Sequence, residues 1–207
     1  MRRTQAAAAL AVVGFLLGAL PSGPASAADG GSDPLQEAGV ALPYGSTGWW
    51  YKQIPGTGGA VPEEPPQEAA IWSGGRAPFG STAGPCTWNN PTQVKTLWAV
   101  NTDLVLVRDF RLPPNATNVR IMGTVDNDAL IHVNDHIVPK VFSGSCQAGA
   151  INAVIPDASL NANGTNVVMI HASDHGVATY LDVQITYIVP LPDGDQDDAP
   201  TGDSTAH

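Results

Sequence analysis

Apolar residues in this chain recur at every second position, in runs too short for helices. NVRIMGTV, residues 118–125, sets Val119, Ile121, Gly123 and Val125 against Arg120, Met122 and Thr124. ALIHV, residues 129–133, puts Ala129, Ile131 and Val133 on one face and Leu130 and His132 on the other. TLWAVNTDLVLVRDFRL precedes these runs, and AINAVI, NVVMIHA and TYLDVQITYIV follow them. Each is rich in β-branched residues and is bounded by Gly, Asn, Asp or Pro, the pattern of half-buried strands joined by turns. From residue 28 onward no apolar stripe keeps a 3.6-residue spacing beyond two turns. The expected class is therefore all-β, a single jelly roll or β-sandwich.

Four segments are expected. Residues 1–27 have the layout of a cleaved signal peptide: Arg2 and Arg3, an apolar run, a break at Pro21, Gly23 and Pro24, and small residues at Ala25–Ala27. The run is too short for a membrane span, and no second long apolar run follows, so the mature chain is expected to be secreted without membrane insertion. Residues 28–69 form a Gly/Pro-rich extension that contains the strand-like GWWY. Residues 70–189 form the sandwich. Residues 190–207 carry five Asp and no apolar cluster, and are expected to be a disordered acidic tail.

Charge narrows the partners. The chain has 9 Lys+Arg against 19 Asp+Glu, and loss of Arg2 and Arg3 makes the formal charge of −10 more negative still. Nucleic acid, which demands a basic face, is excluded as a partner. Adhesion to anionic membranes or acidic polymers is weakened.

RDFRLP (Arg108–Pro113), VDNDALIHVND (Val125–Asp135) and IPDASLNANGTNVVMIHASDHG (Ile155–Gly176) resemble the galactose-binding-like jelly-roll domains of secreted bacterial proteins. WSGGRAPFG (Trp72–Gly80) is similar to the opening segment of that architecture, so the resemblance spans roughly residues 70–188. Such domains are accessory modules of secreted glycosidases or stand-alone surface proteins. The resemblance concerns fold and not activity: such domains bind sugars, bind calcium, or bind nothing known. The chain departs from the family where its hairpin reads Asn134-Asp135 in place of Asn-Gly. Asp tolerates the left-handed conformation well enough for the turn to survive.

His132–His136 and His171–His175 both read His-x-x-Asp-His, and hold four of the five histidines. With Ile131, Val133, Val168, Ile170 and Ala172 facing the core, His132 and His171 are expected to point outward, and Asn134-Asp135 and Ser173–Gly176 to be turns. A transition-metal site needs three or four converging ligands; surface histidines are the alternative. Asp126, Asn127 and Asp128 offer three oxygens in a row, which suits a structural calcium at Asp126 and Asp128 or ordinary hydrogen bonding at a strand break. No other cofactor is expected. Neither a Gly-x-Ser-x-Gly elbow nor His-Glu-x-x-His occurs, and the mature glutamates sit in polar or Pro-rich segments, so no enzyme is expected.

Aromatic residues carry the binding expectation. Trp49, Trp50 and Tyr51 stand together, and successive strand residues alternate faces, so at least one of the tryptophans points away from the core. Trp72, Trp88 and Trp98 are spaced singly and read as core. Aromatic faces stack on sugar rings and anchor protein interfaces. The leading function is a secreted, non-catalytic module for a glycan or cell-wall polymer. The other reading is an adaptor or structural subunit that binds another secreted protein.

Cys86 and Cys146 are an even count in an exported chain, which points to an intramolecular disulfide; two free thiols or an intermolecular bridge are the alternatives. The bond would close the 86–146 loop, a contribution of about 4 kcal/mol in the chain-entropy account. Thiol titration of the denatured, unreduced protein is expected to find no free thiol, and two per chain would refute the bond.

Overall fold

Turn chemistry cuts the chain into short extended segments, and the computed structural model pairs them into two sheets. It describes residues 36–56, 58, 71–81, 94–138, 142–145, 148–162 and 164–191. The chain divides into units 1–33 and 34–207, and every described residue belongs to the second. The signal-peptide segment, Trp88, Cys86, Cys146 and all but the start of the acidic tail lie outside the described residues.

Twelve strands are present among the described residues: β1 (Gln36–Leu42), β2 (Thr47–Pro55), β3 (Ser73–Arg76), β4 (Phe79–Gly80), β5 (Thr96–Leu97), β6 (Thr102–Arg111), β7 (Thr117–Val133), β8 (His136–Ile137), β9 (Phe142–Gly144), β10 (Ile151–Val154), β11 (Thr165–Ser173) and β12 (Tyr180–Pro190). The described residues include one 3-10 turn, Asp157–Ser159, and no helix long and apolar enough to cross a membrane. The all-β expectation holds.

The strands follow the order β3-β2-β6-β11-β7-β12-β4-β5. The first sheet pairs β7 with β12 and β10, and β12 with β1 and β4. The second pairs β3 with β2, β2 with β6, β6 with β11, and β11 with β7. β7 belongs to both. Asp126 lies opposite Tyr180 in the first sheet, and Asp128 lies opposite Ser173 in the second. Asp126–Asp128 therefore forms a corner inside one 17-residue strand rather than a strand break. The ladder continues because Asn127 and Asp128 pair with Gly144 and Ser143 of β9. β1 and β2, which sequence reading places in an extension ahead of the sandwich, are paired members of the two sheets.

Period two does the packing. Val119, Ile121, Val125, Leu181, Val183 and Ile185 of the first sheet meet Leu104, Leu106, Phe110, Val168, Ile170, Ile131 and Val133 of the second in one buried cluster. Gly123 sits where β7 and β12 come closest: a β-carbon there would collide with the Asp182 carbonyl. The five non-glycine residues with left-handed φ among the described residues are all Asn or Asp, the types that tolerate that region. Asn134 (φ 48°) and Asp135 (φ 65°) make the two-residue hairpin turn between β7 and β8. The Asn134 amide also ties that hairpin to the β10–β11 connection. It donates to Ser159 O and Asn166 Oδ1 (both 2.8 Å), and its Oδ1 accepts from Val167 N (2.8 Å).

On β2 the alternation divides the tryptophans. Trp49 is 1% exposed, stacks edge-on against Phe79 (6.4 Å) and donates from Nε1 to Ser46 Oγ (3.0 Å). Trp50 is 59% exposed. Urea unfolding should show Trp49→Ala losing about 3–5 kcal/mol to the cavity it leaves. Trp50→Ala should stay within about 0.5 kcal/mol of the parent. Equal losses would mean that both rings are packed.

Candidate functional site

The exposed edge of the second sheet gathers the aromatic residues. Gly45 (φ 67°) turns the chain into β2, and the ladder shifts register between Thr47 and Trp49. Trp50 then lies opposite Gly74 of the short edge strand β3. Among the described residues a β-carbon at Gly74 would meet nothing within 4 Å, so the flank of the Trp50 ring is open to them on that side. One step along, Lys52 extends its ammonium over Trp72, 5.2 Å from the ring centroid. Lys52 and Trp50 share strand parity, which puts Trp50 and Trp72 on the same face. Trp72 is 39% exposed and is not core, contrary to its isolated spacing in the sequence; Trp98 is fully buried. Tyr51, the third aromatic of GWWY, is half-buried and packs against Phe79 (5.4 Å) on the core side. The exposed face thus carries Trp50 and Trp72, and Tyr51 lies on the other. A shallow cleft of about 530 Å³ runs along this edge, bounded by Trp50, Gly74, Arg76 and Lys95.

The two His-x-x-Asp-His strings do not form one site. His132 lies opposite Ile137 in the hairpin while His136 lies opposite Val133, so the two rings take opposite faces. His132 and His171 share the outer face on neighbouring strands, but neither is at the surface: they are 6% and 1% exposed. The expectation of surface histidines fails here because the middle of this face is itself covered. Lys52, Val105 and Leu130, of the same parity, are buried as well. The unbroken apolar run Leu104–Val107 was the sequence signal for a strand covered on both sides. His171 Nε2 meets Asp103 Oδ2 (3.1 Å), and Ser173 Oγ donates to Asp103 Oδ1 (2.9 Å). Ser, His and Asp are all present, yet the serine is bonded to the carboxylate and not to the imidazole. A nucleophilic serine needs the imidazole as its base.

At the corner, Asp126 and Asp128 are buried, and the neighbouring β11–β12 loop supplies partners. His175 Nε2 reaches Asp128 Oδ2 (3.1 Å), His175 N donates to Asn127 Oδ1 (2.7 Å), and Asn101 N donates to Asp174 Oδ2 (2.5 Å). No group of three or more His, Cys, Asp or Glu side chains converges as a metal set among the described residues. Burial, reinforced by the charge of Asp174 and offset in part by His175, pushes the Asp126 carboxyl up to about 6. Asp182, buried on β12, is pushed up to about 6 by burial despite accepting from Gly45 N (3.1 Å).

No protein-family model matches the chain, and no curated protein sequence matches it. Among solved structures it is similar to a β-D-glucuronidase from Dictyoglomus thermophilum, at 12% identity and a TM-score of 0.40. The match covers 75% of this chain and 28% of that one, so this chain spans about a quarter of the length of the larger protein.

The two raised carboxyls set a pH dependence opposite in sign to that of salt-bridged carboxylates. Their folded values, about 6, lie above the ordinary 3.8. The native state therefore binds protons more tightly, and this contribution is fully present below pH 3.8 and lost as the pH rises through 6. Asp126→Asn should raise the melting temperature at pH 7.5 and change it little at pH 4. A fall at pH 7.5, measured by thermal unfolding, would mean that the ionised carboxylate is stabilising.

Proposed function

We propose that this chain is an exported, non-catalytic β-sandwich module that binds a glycan across the Trp50–Trp72 edge. The observation that carries the reading is the pair of exposed tryptophans on one face, with Gly74 bare opposite Trp50. Aromatic faces stack on the apolar faces of sugar rings, and an open flank lets a ring lie against Trp50. Several features support the wider reading: the leader-like first 27 residues, the resemblance to galactose-binding-like jelly rolls, and the bonding of Ser173 to Asp103 in place of His171.

A glycan array with the purified secreted chain tests this directly, paired with a pull-down from culture supernatant. Binding to a purified polysaccharide supports the proposal. Co-purifying secreted proteins with no glycan signal would overturn it in favour of an adaptor of an extracellular assembly. Trp50→Ala is expected to weaken glycan binding about 30-fold, the equivalent of about 2 kcal/mol, at nearly unchanged stability. Gly74→Val fills the open flank with a residue suited to a strand. It should abolish binding while leaving the unfolding midpoint level or slightly raised. Binding that survives Gly74→Val would place the ligand elsewhere.

A further inference from the structure

Resting on that reading, we infer that the cleft beside Trp50 selects glycans whose rings carry an anionic group, a carboxylate or a sulfate ester. The chain holds 19 Asp+Glu against 9 Lys+Arg, yet among the described residues no acidic side chain lines this cleft, and Arg76 and Lys95 do. Neither cation forms an ion pair among the described residues. A third cation lies beneath the wall. Arg108 Nη1 would be 3.2 Å from a β-carbon at Gly48, a position whose φ of 81° suits glycine. The Arg108 Nε and Nη1 atoms are buried without a hydrogen-bond partner. The charges that line the cleft among the described residues are therefore opposite in sign to the net charge of the chain.

Both lining cations stand on pinned backbone. Arg76 N donates to Thr96 Oγ1 (2.9 Å), and that hydroxyl donates back to Arg76 O (2.7 Å). Lys95 N donates to Pro78 O (2.9 Å), and Arg76 Nε donates to Gly45 O (3.1 Å), which orients the guanidinium. A guanidinium held in place loses little freedom when an anion arrives, and guanidinium and ammonium groups make strong charge-assisted bonds to carboxylate and sulfate oxygens. A ring stacked on Trp50 brings its substituent to this end of the cleft. Overall acidity does not forbid the encounter. Screening over about 8 Å at physiological ionic strength damps the repulsion from distant carboxylates, and Arg76 and Lys95 line the cleft itself.

The test is calorimetric titration of the secreted chain with matched polymers: polygalacturonate and its methyl ester, and dextran sulfate and plain dextran. At least a tenfold preference for a charged member is expected, and the pair that shows it identifies carboxylate or sulfate as the group read. The Arg76→Gln/Lys95→Gln double variant should erase the preference, bringing the charged member down to the affinity of its neutral counterpart. Lys95→Gln alone, whose side chain makes no hydrogen bond among the described residues, provides a variant that leaves the fold intact and should lose about threefold. Equal affinity for charged and neutral members, or a preference that survives the double variant, overturns the inference. If that binding still depends on Trp50, the glycan reading stands. No binding to any of the four polymers, together with a blank glycan array, overturns both.

Discussion

One strand belongs to two sheets, and much of the molecule is arranged around that fact. β7 runs from Thr117 to Val133, and its odd-numbered residues face inward from Val119 to Val125 and again from Ala129 to Val133, while half-buried Asn127 at the corner bonds the β11–β12 loop. The inward parity is therefore the same on both sides of the corner. The first half of β7 supplies Val119, Ile121 and Val125 to the core from one sheet, and the second half supplies Ala129, Ile131 and Val133 from the other. The corner must also satisfy the polar side chains that it carries inside the strand. Asn127 and Asp128 do this by capturing His175 from the β11–β12 loop. The cost falls on Asp126, buried close to Asp174 and held up at a pKa of about 6.

At the far side of the second sheet the constraint is different. β3 is an edge strand of four residues, two of them glycine, and an edge offers unpaired backbone and free space. Glycine opposite Trp50 leaves a side of the ring uncovered, whereas the packed interior leaves no such gap. The same edge concentrates positive charge on an acidic chain. A hydrogen-bonded backbone, an exposed aromatic face and two lining cations are three separate properties. They coincide at β2, β3 and the residues just before β5.

Much of the fold was legible from residues alone. Strands were visible at 118–125, 129–133, 166–172 and 179–189, and the Asn134-Asp135 turn followed from the tolerance of Asn and Asp for left-handed backbone. Trp49 and Trp50 were bound to differ, because neighbouring strand residues cannot share a face. Other features were hidden. Asp126–Asp128 looks like a break because Asp and Asn are poor strand formers, and only pairing with β9 and β11 shows that the strand continues. Trp72 looks like core because it stands alone in sequence; its exposure depends on Lys52 and Gly74, which arrive by pairing. Asn134 looks like a turn residue and nothing more, yet its amide joins two connections 32 residues apart.

His132 and His171 show where the division falls. The sequence by itself determined which face of the sheet each takes, because the twofold period is set by backbone geometry within a few residues. Tertiary structure alone decided whether that face meets water, because burial depends on segments distant in the chain and on no local pattern. For the same reason the sequence by itself determined that Trp50 leaves the core. Only the fold placed Trp72, Arg76 and Lys95 beside it, since strand pairing brings together residues that no spacing in the sequence connects.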